Sequence, residues 1–388
     1  MATTTGRTWR RPMPARSSDE EHRVATPLEL FFDLCFVVAV AQAGAGLHHA
    51  LAEHHASTGV VSYLTVFFSI WWAWMNFSWF ASAYDNDDVL YRVATLVQIT
   101  GALILAAGVS RAFVRHDFDV VFLGYAVMRL GLVSLWLRAA RNDTARRATD
   151  LRYAAGVTLA TAGWSVMLVS GHWPLWGWWL MAAIELTVPI WAESVAPTSW
   201  HPHHIAERYG LFTIIVLGES VLAATTAVQS TLDERGATGP LLATTGGGLL
   251  IVYSLWWLYF AKPAHRLLVS NRTAFVWGYG HYFIFASGAA IGVGLAVNVD
   301  HVTGTAHLAD VMAAATVTVP VAVFVVIGWL LHLRPHHTGV AHQVLPPVAA
   351  ALVLATTFAP QPVLVAGLLL VALVAVSLVT GRTVTAAA

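Results

Sequence analysis

From residue 28 to residue 380 the chain alternates long apolar runs with short polar breaks, and the runs are too long for the helices of a water-soluble core. Twelve of them reach roughly 17 to 25 residues, enough to cross ~30 Å of hydrocarbon at 1.5 Å per residue. They predict membrane helices at 28–49, 60–83, 90–112, 119–138, 152–170, 174–193, 205–228, 241–261, 274–298, 310–332, 344–359 and 361–380. Pro360 and Pro362 leave the last two open to a second arrangement, one re-entrant hairpin. The first 25 residues carry Arg7, Arg10, Arg11, Arg16 and Arg23 with neither an apolar core nor a small-residue cleavage site, so residues 1–26 are expected to be a retained basic tail.

Composition narrows the class. Of 388 residues, 57% are hydrophobic and 11% charged, far from the roughly 25% charged of soluble proteins. The fold expected is therefore an all-α integral membrane protein of about twelve transmembrane helices. Net charge is zero, so the distribution of Lys and Arg carries the information. With the N-terminus inside, seventeen of the 21 fall on the cytoplasmic side, three (Arg111, Arg115 and Arg235) fall outside, and Arg129 lies within the fourth span. That asymmetry predicts cytoplasmic N- and C-termini. The lone cysteine, Cys35, excludes an intramolecular disulfide and a cysteine metal site, and reads as packing filler.

Internal similarity suggests duplication. LELFFDLCFVVAVAQ from Leu28 aligns with AERYGLFTIIVLGES from Ala206, and SIWWAW (69–74) with SLWWLY (254–259). The expectation is two six-helix halves, 27–194 and 205–381, repeated in parallel because six crossings preserve orientation. The segments TPLELFFDLCFVVA, WWAWMNFSWFASAYDNDDVLYR and IAERYGLFTIIVLGES together resemble the bacterial low temperature requirement protein A family. That resemblance implies a multi-pass protein of the bacterial cytoplasmic membrane and points to Glu29, Asp33, Asp87, Asp88, Arg92, Glu207, Arg208 and Glu219 as motif positions. The family's name records a growth phenotype, so the chemistry is argued from the residues.

Glu29 and Asp33 lie one turn apart on the first span and share a face. At the bilayer centre each would cost ~2.5–3.5 kcal/mol, which marks such groups as kept for a task. Asp85, Asp87 and Asp88 follow the second span on the same side, with Arg92 four residues beyond Asp88. Five carboxylates at one cytoplasmic mouth would suit Mg²⁺, held by Asp85, Asp87 and Asp88, or a proton relay; the plainer alternative is a solvated turn capping the third helix. Deeper in the membrane, Glu185, Glu219 and Arg129 fall at matching depth and are expected to cluster. Glu207 and Arg208 are expected to pair near the interface. The basic turn Lys262, His265, Arg266 and Arg272 would meet anionic headgroups. The 18 histidines lack helical zinc spacing, and His281, inside a span, is the pH-sensitive candidate. Trp71, Trp72, Trp74 and Asn76 occupy the second span ahead of the acidic turn, where aromatic faces would line a cavity and stabilise cations.

Three functions compete, one of them a non-catalytic membrane factor or sensor. A proton- or ion-coupled secondary transporter of a small molecule would use Asp33, Asp87, Asp88 and Glu219 as its working carboxylates. It would bind substrate through Glu29, Trp71, Trp72, Trp74, Asn76, Arg92, Arg129, Glu185, Glu207, Arg208 and His281. An intramembrane enzyme acting on a lipid or isoprenoid would use the acidic turn, whose Asp-x-Asp-Asp order resembles the protonating motif of terpene cyclases, together with the aromatic helix. Expected partners are the bilayer and a small-molecule or lipid substrate, and not nucleic acid.

Overall fold

In the computed structural model, residues 9–17, 20, 23–171, 173–336 and 339–385 are described. Arg7 and His337 lie outside them. The described residues form twelve α-helices and no strand: α1 Pro27–Ala52, α2 Ala56–Tyr84, α3 Val89–Arg115, α4 Asp119–Asn142, α5 Arg147–Ser170, α6 Leu175–Glu193, α7 Pro202–Arg235, α8 Gly239–Phe260, α9 Asn271–Val302, α10 Asp310–Gly328, α11 Val340–Ala355 and α12 Pro362–Thr385. Eleven are long and apolar enough to cross a membrane. The other is α11, sixteen residues with Pro346 and Pro347 inside it and a 3₁₀ turn at its end. At 1.5 Å per residue it spans only ~24 Å, short of a bilayer core. Large apolar side chains stand outward along the helices, among them Leu130, Leu159, Val169 and Val276. Exposure of that kind marks a surface whose solvent is lipid.

The helix ends are set by local chemistry. Asp88 caps α3, accepting the Tyr91 N–H at 2.8 Å. Ser270 and Thr273 form a capping box at α9, and Thr238 caps α8 ahead of Pro240. At the start of α1, Glu29 N–H donates to Thr26 Oγ1 at 3.3 Å while Glu29 Oε2 accepts from Thr26 N at 2.7 Å. These reciprocal bonds account for one oxygen of Glu29 in purely structural terms.

The chain divides into two compact units, one holding the residues through Ala43 with Thr65–Arg208, the other Gly44–Leu64 with the residues from Tyr209 onward. The division runs through α1, α2 and α7 and not through loops. The first unit is built around the later part of α2, where Phe67, Trp71, Trp72, Trp74, Phe77 and Phe80 are all buried. Gly101 lets α3 meet α4 closely, because a Cβ there would stand 2.6 Å from Gly124 O. Trp136 stacks flat on Tyr153 at 4.1 Å between ring centroids and joins α4 to α5.

The tail belongs to this unit in a way its composition did not suggest. Met13 is fully buried, Arg16 N–H donates to Ala83 O at 2.9 Å, and the Arg23 guanidinium donates to Ala81 O and Ser82 O. Those carbonyls lie in the last turn of α2, where Ala81 O also accepts the Asp85 N–H at 3.2 Å, and the tail adds hydrogen bonds and positive charge at the negative end of the helix dipole. The second unit is organised by α9, whose most apolar window is 89% buried. At Gly294 any side chain would run into Thr316 O of α10, and Asn298 ties the same pair of helices with a 2.7 Å bond to Ala313 O.

Candidate functional site

The two acids of α1 meet residues of α7 that stand 175 positions away in sequence. Arg208 Nε donates to Asp33 Oδ2 at 3.0 Å, with Nη2 on Asp33 Oδ1, a two-pronged pair that matches guanidinium to carboxylate geometry. Arg208 Nη1 lies 3.1 Å from Glu29 Oε1, and His204 Nε2 lies 3.1 Å from that same oxygen. Trp74 Nε1 donates to Asp33 Oδ1 at 2.7 Å. Glu29, Asp33, His204 and Arg208 each have zero exposure. The spacing explains the meeting: Glu29 and Asp33 are four apart on α1, His204 and Arg208 four apart on α7, so each helix offers two polar groups on one face.

Charge counting gives this cluster its character. Among the four side chains, two carboxylates and one permanently charged guanidinium leave one negative charge over, and buried Arg23 and Asp85, one cation and one acid, act on the same groups from the tail and the turn after α2. His204 cancels it only by carrying a second proton, and its Nε2 must hold a hydrogen in either case, since the carboxylate it faces can only accept. An uncompensated charge in a dry interior is expensive, so proton occupancy and the packing of α1 on the start of α7 are coupled.

A second buried pair lies in the same unit and is built differently. Arg129 Nη2 sits 3.0 Å from Glu185 Oε2. Glu185 also accepts from Trp72 Nε1 at 2.8 Å, Tyr125 Oη at 2.8 Å and Trp164 Nε1 at 3.3 Å. One acid and one base make a charge-balanced pair; the three neutral donors all serve Glu185, while Arg129 Nε and Nη1 have no hydrogen-bond partner. The expected partnership of Arg129 with Glu185 is thus present. Glu219 is not part of it: it belongs to the other unit, is half-buried, and makes no ion pair among the described residues.

The acidic turn does not assemble into one site. Asp87 is exposed and bonded to Arg92, with Nε to Oδ1 at 2.7 Å. Asp88 is buried against Arg138, with Nη1 to Oδ1 at 2.9 Å, and accepts the Arg11 N–H at 2.7 Å. Burial would raise the Asp88 pKa, but Arg138 and the N–H groups of Arg11 and Tyr91 outweigh it and hold the carboxyl below its usual range. Asp85 turns toward the tail, 4.0 Å from Arg16. Burial first, and then the negative charge of Glu29, push it up to about 6. Each acid has its own cation, and among the described residues no group of three or more His, Cys, Asp or Glu is placed to hold a metal ion. The Mg²⁺ expectation loses its geometric basis at Asp85, Asp87 and Asp88, because these side chains diverge.

Other expected residues resolve one by one. Glu207 and Arg208 do not pair: Glu207 Oε2 accepts the Ala25 N–H at 3.2 Å while Arg208 turns to α1. Trp71, Trp72 and Trp74 are packed without exposure, and Asn76 Nδ2 donates to Trp72 O at 2.7 Å. In the second unit His281 is fully buried, 3.0 Å from Tyr259 Oη and 3.1 Å from His332 Nε2. The expectations missed His204. Its signal was present in the sequence, as a histidine four residues before Arg208 on the same helix face.

A family model described as bacterial low temperature requirement A protein matches residues 24–379. An uncharacterized protein of Rhizobium meliloti (strain 1021) is similar, 26% identical over 263 residues, which is 65% of this chain and 62% of that protein. The match therefore spans less than two thirds of the relative's length.

Proposed function

The chain belongs to the bacterial low temperature requirement A family, and we propose that it is a multi-pass secondary transporter coupled to protons, with Glu29, Asp33, His204 and Arg208 as the coupling cluster. The observation that carries this reading is the odd charge of four side chains with zero exposure. Proton uptake at His204 neutralises the cluster, and proton loss leaves one negative charge that α1 and the start of α7 no longer bury at no cost. A coupling ion needs a site whose protonation changes which packing is favoured. The charge-balanced pair at Arg129 and Glu185 lacks that charge remainder. The expected cytoplasmic N-terminus puts the cluster near the inner mouth, beneath the tail that Arg23 pins to the end of α2.

The rival reading, an enzyme acting on a lipid or isoprenoid, asks for a closed apolar pocket with acids at one end. A crevice of about 450 Å³ in the second unit has the right size. Its lining, including Leu47, Val60, Tyr63, Phe283, Thr316 and Pro320, holds no carboxylate. Asp87 and Asp88 are engaged with arginines of the first unit.

The test uses proteoliposomes loaded with a pH-sensitive dye and challenged with pools of small metabolites. A pool that drives proton movement through the wild type, and fails with Asp33→Asn, supports coupling. Appearance of a new lipid or isoprenoid product in membranes holding the wild type, lost with the same variant, would replace the transporter reading with the enzyme.

A further inference from the structure

A separate set of buried groups lies in the first unit, at the junction of α2, α4, α5 and α6. Tyr84 Oη, at the end of α2, stands 3.1 Å from Asp143 Oδ2 and 3.0 Å from Asp150 Oδ1. A phenol carries one hydrogen and can donate it to one acceptor. Two ionised carboxylates would leave one of these contacts as oxygen facing oxygen with no hydrogen between them. The geometry therefore requires a second proton, and the surroundings say where it sits. Asp143 accepts the N–H groups of Ala145 and Arg146 at 3.1 and 3.2 Å, with the Arg146 guanidinium 3.4 Å from Oδ2. These are the partners of an ionised carboxylate. Asp150 has zero exposure, and its Oδ2 has no hydrogen-bond partner. An orphaned oxygen is far less costly on a neutral acid than on a carboxylate.

We propose that Asp150 is a proton-binding site, held as the neutral acid, and that Tyr84 links it to Asp143 as a proton relay. In the resting arrangement the Asp150 carboxylic acid donates from Oδ1 to Tyr84 Oη, and the Tyr84 hydroxyl donates to Asp143 Oδ2. A concerted shift moves the Asp150 proton to Tyr84 Oη while the Tyr84 proton passes to Asp143 Oδ2. Asp150 becomes the carboxylate, Asp143 becomes the acid, and the phenol is a phenol before and after, so no other reactant is needed. Asp143 is the outlet, because Arg146, which touches it, is about one third exposed.

The other charged groups that bear on Asp150 fit this assignment. From α6, Glu193 adds negative charge and is itself held by Tyr153 Oη at 2.9 Å and by Thr198 N at 2.8 Å. From the turn before α5 come Asp143 and the cation Arg146. Trp136 packs edge-on against Tyr84 and flat on Tyr153, which keeps the phenol in place. Three acids with one partly exposed arginine leave room for a bound proton. The assignment does not depend on what the protein transports, and its readout is independent of transport.

The test is infrared spectroscopy of the purified full chain in lipid nanodiscs at pH 8, in light and heavy water. The wild type is expected to show a protonated-carboxyl band that Asp150→Asn removes and Asp143→Asn keeps. Tyr84→Phe removes the group that accepts from Asp150, so it should move the band to higher frequency without abolishing it, and this variant serves should Asp150→Asn fail to fold. Absence of any band sensitive to Asp150→Asn in a folded variant, or a band indifferent to Tyr84→Phe, would overturn the proposal.

Discussion

Arg208 and Arg129 are both buried guanidiniums of the first unit, and they have opposite surroundings. Arg129 faces one carboxylate, and that carboxylate has further neutral donors from two indoles and a phenol. Arg208 faces two carboxylates, one of which also meets a histidine. The first arrangement balances one charge against one, and it ties α2, α4, α5 and α6 together. The second balances only with a bound proton. Burial alone thus does not distinguish the two arginines; the charge remainder does, and it is what the proposed coupling role rests on.

The largest effect is expected from removing Arg208. Arg208→Met strands Glu29 and Asp33 together in a site with zero exposure. Breaking a buried pair typically costs ~3–5 kcal/mol, and here two acids lose their shared cation. The variant is expected to be degraded in cells, or to melt far below the wild type in detergent. Unchanged melting would mean that the two acids are already neutral, and the contrast with Arg129 would disappear.

The next test asks whether the Arg129 pair is replaceable. Glu185→Leu alone leaves a buried guanidinium without its carboxylate and should cost ~3–5 kcal/mol. Adding Arg129→Met should restore part of that by removing the unpaired charge, while Trp72, Tyr125 and Trp164 still lack the acceptor that Glu185 gave them. A double-mutant cycle on thermal stability, run with transport, reads both. The double variant should keep its proton-linked activity. If it folds but is inactive, the charge-balanced pair is also part of the mechanism.

A pH experiment comes third. Asp85 sits between the buried cluster and the tail, and burial raises it to about 6 from the ordinary 3.8. For an acid raised in the folded state, the associated stability is full below the unfolded value and is lost as pH climbs through the folded value. Asp85→Asn removes that penalty. It should therefore stabilise the protein by about 1–3 kcal/mol at pH 7.5, with the gain shrinking between pH 6 and pH 4. Melting curves at both ends check it. A gain that persists at pH 4 would point to a cause other than ionisation, such as altered packing against Arg16 and Arg23.

How much of this was legible beforehand depends on sequence distance. Helix periodicity put Glu29 and Asp33 on one face, and depth alone matched Arg129 to Glu185. Neither argument could bring α7 to α1, because nothing local records a pairing across 175 residues. The three aspartates after α2 misled for a related reason. They are adjacent in sequence, yet a turn sends neighbouring side chains in different directions, and each found its own arginine. The tail looked like retained charge only, since its role is to bond the last carbonyls of α2, and backbone carbonyls leave no mark in a sequence. Glu219 matched Glu185 in depth but falls in the other unit, a division that runs through the middle of helices and so has no loop to announce it.

The smallest effect is expected at Asp87, and there the comparison between buried and surface acids is sharpest. Asp87 lies in the left-handed region with φ +49°, a conformation that Asn accepts as readily as Asp. Its partner Arg92 is about one third exposed and Asp87 about one half. A solvated pair of this kind contributes ~0–1 kcal/mol, and the Asp85 Oδ1 bond to the Asp87 N–H at 3.1 Å involves only the backbone of Asp87. Asp87→Asn should therefore shift stability by less than ~1 kcal/mol and leave transport intact, while Asp33→Asn, which halves the negative charge facing Arg208, abolishes it. The sequence offered the two residues as members of one acidic site. Equal loss of activity in both variants, with normal folding, would restore that site and require Asp87 to leave Arg92 during the working cycle.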